Sequence, residues 1–332
     1  MSDAFVVAAV IPLYNGHRFI FEAIASVLNQ TRIPDEIIVV DDGSTNPLGA
    51  QIVEAFIPRD KRVRLLRKPN GGQSSARNFG VAHFTATHIA FLDQDDRWYP
   101  GHVEALLRPF KKKRDGAPLG WVHSNVDEID EGGNLVCKSI LSVHGKDRAK
   151  PHLFDCLSDD LFITPSATLI SRASFDAVGG FDERLCGYED DDLFLRLFRA
   201  GYDSAYLNAS LSQWRIYGSS TSFTPRMRQS RDIYARKLMA AFPDNPARNL
   251  YITRDLIGPR FARLNYSDLL HGLATHDIAR VDGALSSLRP FSKWLRQRQR
   301  IVVMLASILL RARLLRLPYT WHMIDAYRTV RR

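Results

Sequence analysis

Two aspartates two residues apart, Asp93 and Asp95, follow the apolar run His88 to Leu92. If the chain turns there, both carboxylates face one ligand. Hard oxygen donors of this kind suit Mg2+ or Mn2+, ions that fill their remaining positions with water or phosphate. A second candidate is Asn70-Gly71-Gly72-Gln73-Ser74-Ser75-Ala76-Arg77-Asn78. Its glycines let backbone approach a ligand, its turn feeds a helix N-terminus that favours anions, and Arg77 can make charge-assisted bonds to phosphate. A third is Gly187-Tyr188-Glu189-Asp190-Asp191-Asp192, four acids opening a helix. The helix dipole favours negative charge there, but four successive acids repel one another more than capping requires. Taken singly, each also fits a plainer role: a solvated acidic loop, a serine-capped turn, a helix cap.

The elements around these residues bring them together. Phe5 to Pro12 and Glu36 to Val40 are continuous apolar runs, the pattern of buried strands, as is His88 to Leu92; Arg62 to Arg67 is a shorter strand. Helical spacing links Ile20, Ala23, Ile24, Val27 and Leu28, and helices are expected over about 47–56 and 73–84. Strands alternating with helices predict a parallel, doubly wound sheet, and such sheets bind ligands beyond the carboxyl ends of their strands. Tyr14-Asn15, Asp41-Asp42 and Asp93 to Asp96 all fall at those ends. Beyond Leu119 the pattern changes. A hairpin is expected from Trp121 to Ile129 and Leu135 to Ser139, a strand over Ile163 to Ser171, a helix over Asp192 to Ala200, and mostly helix from about Pro225.

The chain has 332 residues, 45% of them hydrophobic and 24% charged, which is a globular composition. Its net charge of +9 is concentrated in one place. Residues 283–332 hold eleven Arg or Lys and one acid, Asp325, while the rest has 34 basic and 35 acidic residues. The high isoelectric point is therefore no argument for nucleic-acid binding by the first 282 residues. Three scattered cysteines, Cys137, Cys156 and Cys186, match neither a zinc pattern nor a disulfide framework, and point to a reducing compartment. No signal peptide is expected at the N-terminus, and no stretch reaches the ~20 apolar residues that span a bilayer. A cytoplasmic location follows, with peripheral attachment at the inner face of the cell membrane as its extension.

Several segments together resemble the family 2 glycosyltransferases of the GT-A fold. They are Val10-Ile11-Pro12-Leu13-Tyr14-Asn15, Ser26 to Thr31, Glu36 to Thr45, Asn70-Gly71-Gly72 with Ala76-Arg77-Asn78, Ala90 to Trp98, Gly179-Gly180-Phe181-Asp182-Glu183, and Glu189 to Leu193. Each is weak alone; their order and spacing over about residues 5–222 are specific. The resemblance implies an α/β fold with a Rossmann-like mixed sheet flanked by helices, followed by a mostly helical extension. Residues 1–224 are expected to be catalytic, with about 1–115 binding nucleotide and 116–224 binding acceptor, and 225–332 to be the basic extension.

The same resemblance implies roles. Pro12, Tyr14 and Asp42 look like the nucleotide-base pocket, with Asn15, Asp41 and Gly71 beside it. Arg77 resembles a residue near the base and diphosphate, Asp93 a ribose or metal-shell contact, and Asp95 the direct ligand of Mn2+ or Mg2+. Asp190 corresponds to the general base, with Glu189 shaping the acceptor site. The expected reaction is inverting transfer from a nucleotide-diphosphate sugar, a UDP-sugar before others, to a saccharide or lipid-linked acceptor. The alternatives are a nucleotidyltransferase that makes nucleotide sugars and a non-catalytic scaffold that binds them. One departure stands out: where many relatives carry Tyr-Arg-x-His-Gly, this chain reads Trp214-Arg215-Ile216-Tyr217-Gly218, followed by Ser219 to Ser222. Tyrosine is a poor ligand for Mg2+ or Mn2+ when neutral, so either water completes the ion's shell or metal dependence is weaker; the Tyr217 hydroxyl could bond the diphosphate, and the plainer alternative is that its ring packs. In residues 290–318, arginines flank the ten-residue apolar run Ile301 to Leu310, with Trp294 near one end. That pattern fits a helix lying on an anionic membrane surface, and equally an amphipathic helix packed on protein.

Overall fold

The computed structural model describes residues 5–113, 115–147, 153–218, 225–317 and 320–322. Ser219, Ser220, Thr221 and Ser222 of the last motif, and Pro318 and Asp325 of the tail, lie outside the described residues. The chain divides into two compact units, one of residues Met1–Cys156 with Asp160–Phe223 and one of Leu157–Asp159 with Thr224–Arg332.

The first unit opens as expected: β1 (Val7–Leu13), α1 (Ile20–Leu28), β2 (Glu36–Asp41), α2 (Leu48–Glu54), β3 (Val63–Arg67), α3 (Gln73–Val81) and β4 (His88–Phe91). Strands β3, β2, β1 and β4 lie side by side in parallel. All seven residues of β1 are buried, because apolar side chains cover both faces of a parallel sheet. The core gathers Ile11, Leu13, Ile24, Val39 and Leu92 from this half with Val122 and Leu169 from the next.

Past β4 the parallel run ends and the sheet becomes mixed, as the family resemblance implies. It continues through β5 (Arg97–Trp98), α4 (His102–Leu107), β6 (Leu119–Ile129), β7 (Leu135–Cys137), α5 (Ile140–Val143), α6 (Leu153–Ser158), β8 (Thr168–Ser171), α7 (Arg172–Ala177), α8 (Glu189–Arg199) and β9 (Asp203–Arg215). The strand order is β3-β2-β1-β4-β8-β6-β9-β5, with β7 attached to β6. β8 runs antiparallel to β4 and to β6, and β9 runs parallel to β6. The expected hairpin is β6–β7. The strand expected over Ile163 to Ser171 shrinks to β8, because Pro165 opens a 3-10 turn over Pro165–Ala167. The thirteen-residue β9 has no counterpart among the sequence expectations.

The second unit is helical, with α9 (Pro225–Ala241), α10 (Gly258–Ala274), α11 (Ile278–Leu288) and α12 (Gln297–Arg311). Asp277 caps α11, its carboxylate accepting from the Arg280 amide at 2.9 Å. Buried Asp268 of α10 accepts from Arg228 of α9 at 2.9 Å and Arg280 of α11 at 2.6 Å, tying three helices at one carboxylate. The Trp294 indole donates to the Arg254 carbonyl at 2.7 Å. No disulfide joins the three cysteines among the described residues, and no helix among these residues is long and apolar enough to cross a membrane.

Candidate active site

The carboxyl ends of β1, β2, β3 and β4 share one edge, and side chains cross-link the loops that leave them. After β1, Asn15 takes φ 52°, a conformation asparagine tolerates. Its carboxamide oxygen accepts from the amides of Thr45 and Asn46, each at 3.0 Å, binding the β1 loop to the β2 loop. The Tyr14 amide donates to the Gln94 side-chain oxygen at 2.8 Å, and the Gln94 amide group donates back to the Tyr14 carbonyl at 3.2 Å. Gln94 thus ties the β1 loop to the Asp93–Asp95 turn. The Tyr14 ring remains 43% exposed, free to stack on a ligand. Pro12 is buried within β1 beside Val40.

Asp41 and Asp42 close β2 differently. The Asp41 carboxylate accepts from the Ser44 amide at 3.0 Å, forming a local turn. Asp42 is buried, and its carboxylate accepts from the amides of Gly71 at 3.0 Å and Gly72 at 2.7 Å. The Lys68 ammonium pairs with it at 2.7 Å. Asp42 therefore shapes the glycine loop, and Gly72 reaches it at φ 88°, where a side chain would be strained. Lys68 went unrecognised in the sequence, although it follows β3 at the same edge. The rule that selected the ends of β1, β2 and β4 selects it too.

Arg77 of α3 is the central cation. Its guanidinium is 1% exposed and pairs with Asp93 at 2.5 Å and with Glu189 at 2.8 Å. It also lies 5.2 Å from the centre of the Phe181 ring. Burial opposes its charge, but Asp93 and Glu189 outweigh that and strengthen its hold on the proton. Both terminal nitrogens are engaged by carboxylates. Glu189 is likewise engaged: one oxygen accepts from Arg77 and from Gln73 at 2.5 Å, the other from the Gly187 amide at 2.8 Å. Asn78 completes the link between α3 and the segment before α8. It donates to the Phe181 carbonyl and accepts from the Phe181 amide, each at 2.9 Å.

Asp190, next to Glu189, is half-buried, and one carboxylate oxygen accepts from the Asp191 amide at 2.8 Å. Burial, then the charges of Glu189 and Asp191, push its carboxyl well above the usual carboxylate range. Asp191 and Asp192 are structural: Asp191 accepts from the Leu161 amide at 2.9 Å, and Asp192 from Arg196 one turn on at 2.8 Å.

The Asp93–Asp96 turn is held by Ser166 and Arg215, which sequence reasoning did not select, and by Tyr217, which it singled out as the departure from the family's pattern. The Ser166 hydroxyl accepts from the Asp93 amide at 3.0 Å. Arg215, 1% exposed at the end of β9, donates to the Asp95 carbonyl at 2.8 Å and pairs with Glu22 at 2.8 Å. Its own amide donates to the Asp96 carboxylate at 3.0 Å. The Tyr217 hydroxyl donates to the Asp95 carboxylate at 2.7 Å. Burial, then Asp93, raises the Asp95 carboxyl, while the Tyr217 bond works against that shift. Burial, then Asp95 and Asp93, raises buried Asp96 further. The turn thus concentrates negative charge that its neighbours only partly offset.

Among the described residues no group of three or more His, Cys, Asp or Glu side chains forms a metal cage. Asp93 and Asp95 supply two hard oxygen donors, and Asp93 shares its charge with Arg77. This donor set fits a Mg2+- or Mn2+-sized ion that draws most of its shell from phosphate and water.

A mixed sheet with flanking helices, its strand ends gathering acidic and glycine-rich loops, is a GT-A-type domain. The chain belongs to glycosyl transferase family 2, whose model matches residues 8–179, more than half of its length. It is 36% identical over 217 residues to an uncharacterized glycosyltransferase of Rickettsia bellii, covering 65% of this chain and 30% of that protein. It is 28% identical over 247 residues to glycosyltransferase GlyG of Streptococcus pneumoniae, covering 71% of this chain and 78% of that one. A Pasteurella multocida hyaluronan synthase is 27% identical over 217 residues, 65% of this chain and 21% of that protein. The chain thus spans only 21% to 30% of several curated relatives, the Rickettsia bellii protein and the hyaluronan synthase among them. The fold also matches S. aureus TarS 1-349, solved in complex with UDP-GlcNAc, with a TM-score of 0.61 at 18% identity, covering 98% of this chain and 92% of that one. Enzymes of this GT-A family typically use divalent metals.

Proposed function

We propose that this chain transfers a sugar, with inversion, from a nucleotide-diphosphate sugar to an acceptor hydroxyl in cell-surface polysaccharide or glycolipid assembly. The observation that carries the reading is the bridge made by Arg77. One guanidinium joins Asp93, on the turn after β4, to Glu189, the residue beside Asp190. Residues 1–115 hold the donor, residues 116–224 receive the acceptor, and residues 225–332 form an extension. The exposed Tyr14 ring and the loop shaped by Asp42 receive the base, with Pro12, Asn15, Asp41 and Gly71 framing that pocket. UDP is the preferred nucleotide, an assignment supported by the UDP-GlcNAc bound to the TarS neighbour. The hyaluronan synthase relative supports a saccharide acceptor, free or lipid-linked. The odd, sparse set of three cysteines supports a reducing compartment, and we propose that the reaction takes place in the cytoplasm, at the inner face of the cell membrane.

Asp190 takes the acceptor proton as the hydroxyl oxygen bonds the anomeric carbon. The bond from that carbon to the diphosphate oxygen breaks, and its electron pair leaves with the nucleoside diphosphate. Attack opposite the leaving group inverts the centre, so one base suffices and no glycosyl-enzyme forms. Asp95, with Asp93, would hold Mn2+ or Mg2+, which when bound neutralises charge developing on the leaving diphosphate. Glu189 anchors the first turn of α8 and so orients Asp190. Tyr217 and Arg215 fix the Asp95 turn from β9. The reading is tested by a thermal-shift panel of UDP-, GDP-, dTDP- and CMP-sugars with Mn2+, followed by transfer assays of the best donor. One donor should raise the midpoint selectively, and Asp95→Ala and Asp190→Asn should abolish transfer. Wild-type turnover in both variants would remove these residues from the reaction.

A further inference from the structure

α12 carries an apolar stripe that faces solvent. Ile301, Met304, Leu305 and Ile308, at successive helical offsets of three, four and seven, are 47%, 53%, 50% and 52% exposed. The opposite side of the helix is its packed side: Ala306 is 2% exposed, and α12 packs against α11. Exposed Leu314 and Leu317 extend the apolar surface past the helix end. Arg296, Arg298 and Arg300 frame the stripe at one end, and Arg311 and Arg313 at the other, all exposed. No Asp or Glu occurs between Gly283 and Ile324.

We infer that this face of α12 docks in the headgroup layer of an anionic lipid bilayer. Charge selects the occupant. A second copy seated face to face would set arginines against arginines with no acid to relieve them. An anionic lipid surface offers apolar chains beneath the stripe and phosphates beside both arginine groups at once. Fifteen residues make a helix about 22 Å long, shorter than the ~30 Å hydrocarbon layer, so α12 lies in the interface and does not cross. Trp294 is not part of the contact: its indole is bonded to Arg254 and its ring packs where a Cβ on Gly258 would fall. The inference deepens the proposed membrane location by naming its surface, and it holds or fails independently of donor, acceptor and metal.

Flotation of the full chain with vesicles tests it. With vesicles of phosphatidylcholine and phosphatidylglycerol the wild type should float. With phosphatidylcholine alone, or with NaCl raised to about 1 M, the bound fraction should fall severalfold, because salt screens the arginines. Leu305→Glu should lower partitioning about tenfold or more, and the Arg311→Ala, Arg313→Ala double variant should lose binding to anionic vesicles only. These side chains are exposed, so the variants should keep the wild-type circular dichroism and thermal midpoint. Absence of wild-type flotation, or flotation unchanged by Leu305→Glu, overturns the inference. So does a dimer in sedimentation velocity that Leu305→Glu dissolves, which would give the face to a second copy.

Discussion

At the residue scale, two charged groups define how the site behaves. Asp190 holds its proton more tightly than an ordinary carboxylate because burial and then Glu189 and Asp191 disfavour its charge. As the proposed base, Asp190 must be deprotonated to act, so raising its pKa moves the acid limb of activity upward. The profile of kcat against pH should therefore fall on the acid side at a pH above the ~3.9 of a free aspartate. Asp190→Asn should reduce kcat by about a hundredfold or more on the plateau above that limb, and the gap should narrow below it. An acid limb at or below the free-carboxylate value would remove the shift. Arg77 carries a structural load of the same origin. Removing it leaves Glu189, 4% exposed, without its cation. Breaking a buried pair in this way costs about 3–5 kcal/mol, and Arg77→Gln should lower stability in urea by that order. Arg77→Lys should rescue little, because one ammonium cannot reproduce the two-pronged geometry. The roles of Asp42 and Arg77 were only half legible in the sequence. Types and spacing placed them beside the site, but the partners they hold, Lys68 and Glu189, come from segments that only folding brings near.

At the element scale, legibility follows burial. β1, β2 and β4 stand out because apolar residues on both faces leave continuous runs. β9 does not, because exposed and half-buried polar positions interrupt it and its register with β6 shifts three times. With β9 unseen, Arg215 could not be recognised as the residue that steadies the Asp95 turn. The Gly179-Gly180-Phe181 run shows the reverse case, a motif whose reason appears only in contacts. Gly180 lies at φ 70°, and a Cβ there would stand 2.7 Å from the Asn78 carboxamide oxygen. Gly180→Ala should therefore destabilise the fold by about 1–3 kcal/mol through backbone strain and displacement of the Asn78 clamp. Thermal unfolding measures it. Combining it with Asn78→Ala should cost less than the sum of the single changes, because both disturb one contact. Strict additivity would separate the two residues.

At the scale of the whole molecule, pH should act on stability through buried histidines. His102 of α4 is fully buried, stacked on Trp98 with ring centres 4.3 Å apart, and its Nδ1 lies 3.0 Å from the Leu211 carbonyl. Its Nε2 has no partner among the described residues. Burial lowers its pKa to about 3, and burial lowers that of His88 to about 4. The folded state keeps both rings neutral, while the unfolded chain takes up protons near pH 6.5. Stability from this source is intact above about pH 6.5 and is lost as pH falls towards the folded values, at about 1.4 kcal/mol per pH unit for each ring. Urea midpoints between about pH 7 and 5 carry this decline, offset by the buried carboxyls of Asp190 and Asp96, which are raised above the ordinary range and favour the fold as pH falls. His102→Phe also removes the bond to Leu211, so its absolute stability is a poor readout. The slope against pH is the useful one: replacing His102 should remove one ring's share of the decline on acidification, about 1.4 kcal/mol per pH unit. An unchanged slope in His102→Phe would mean that the ring is protonated in the fold, and so that its packing on Trp98 tolerates a buried cation.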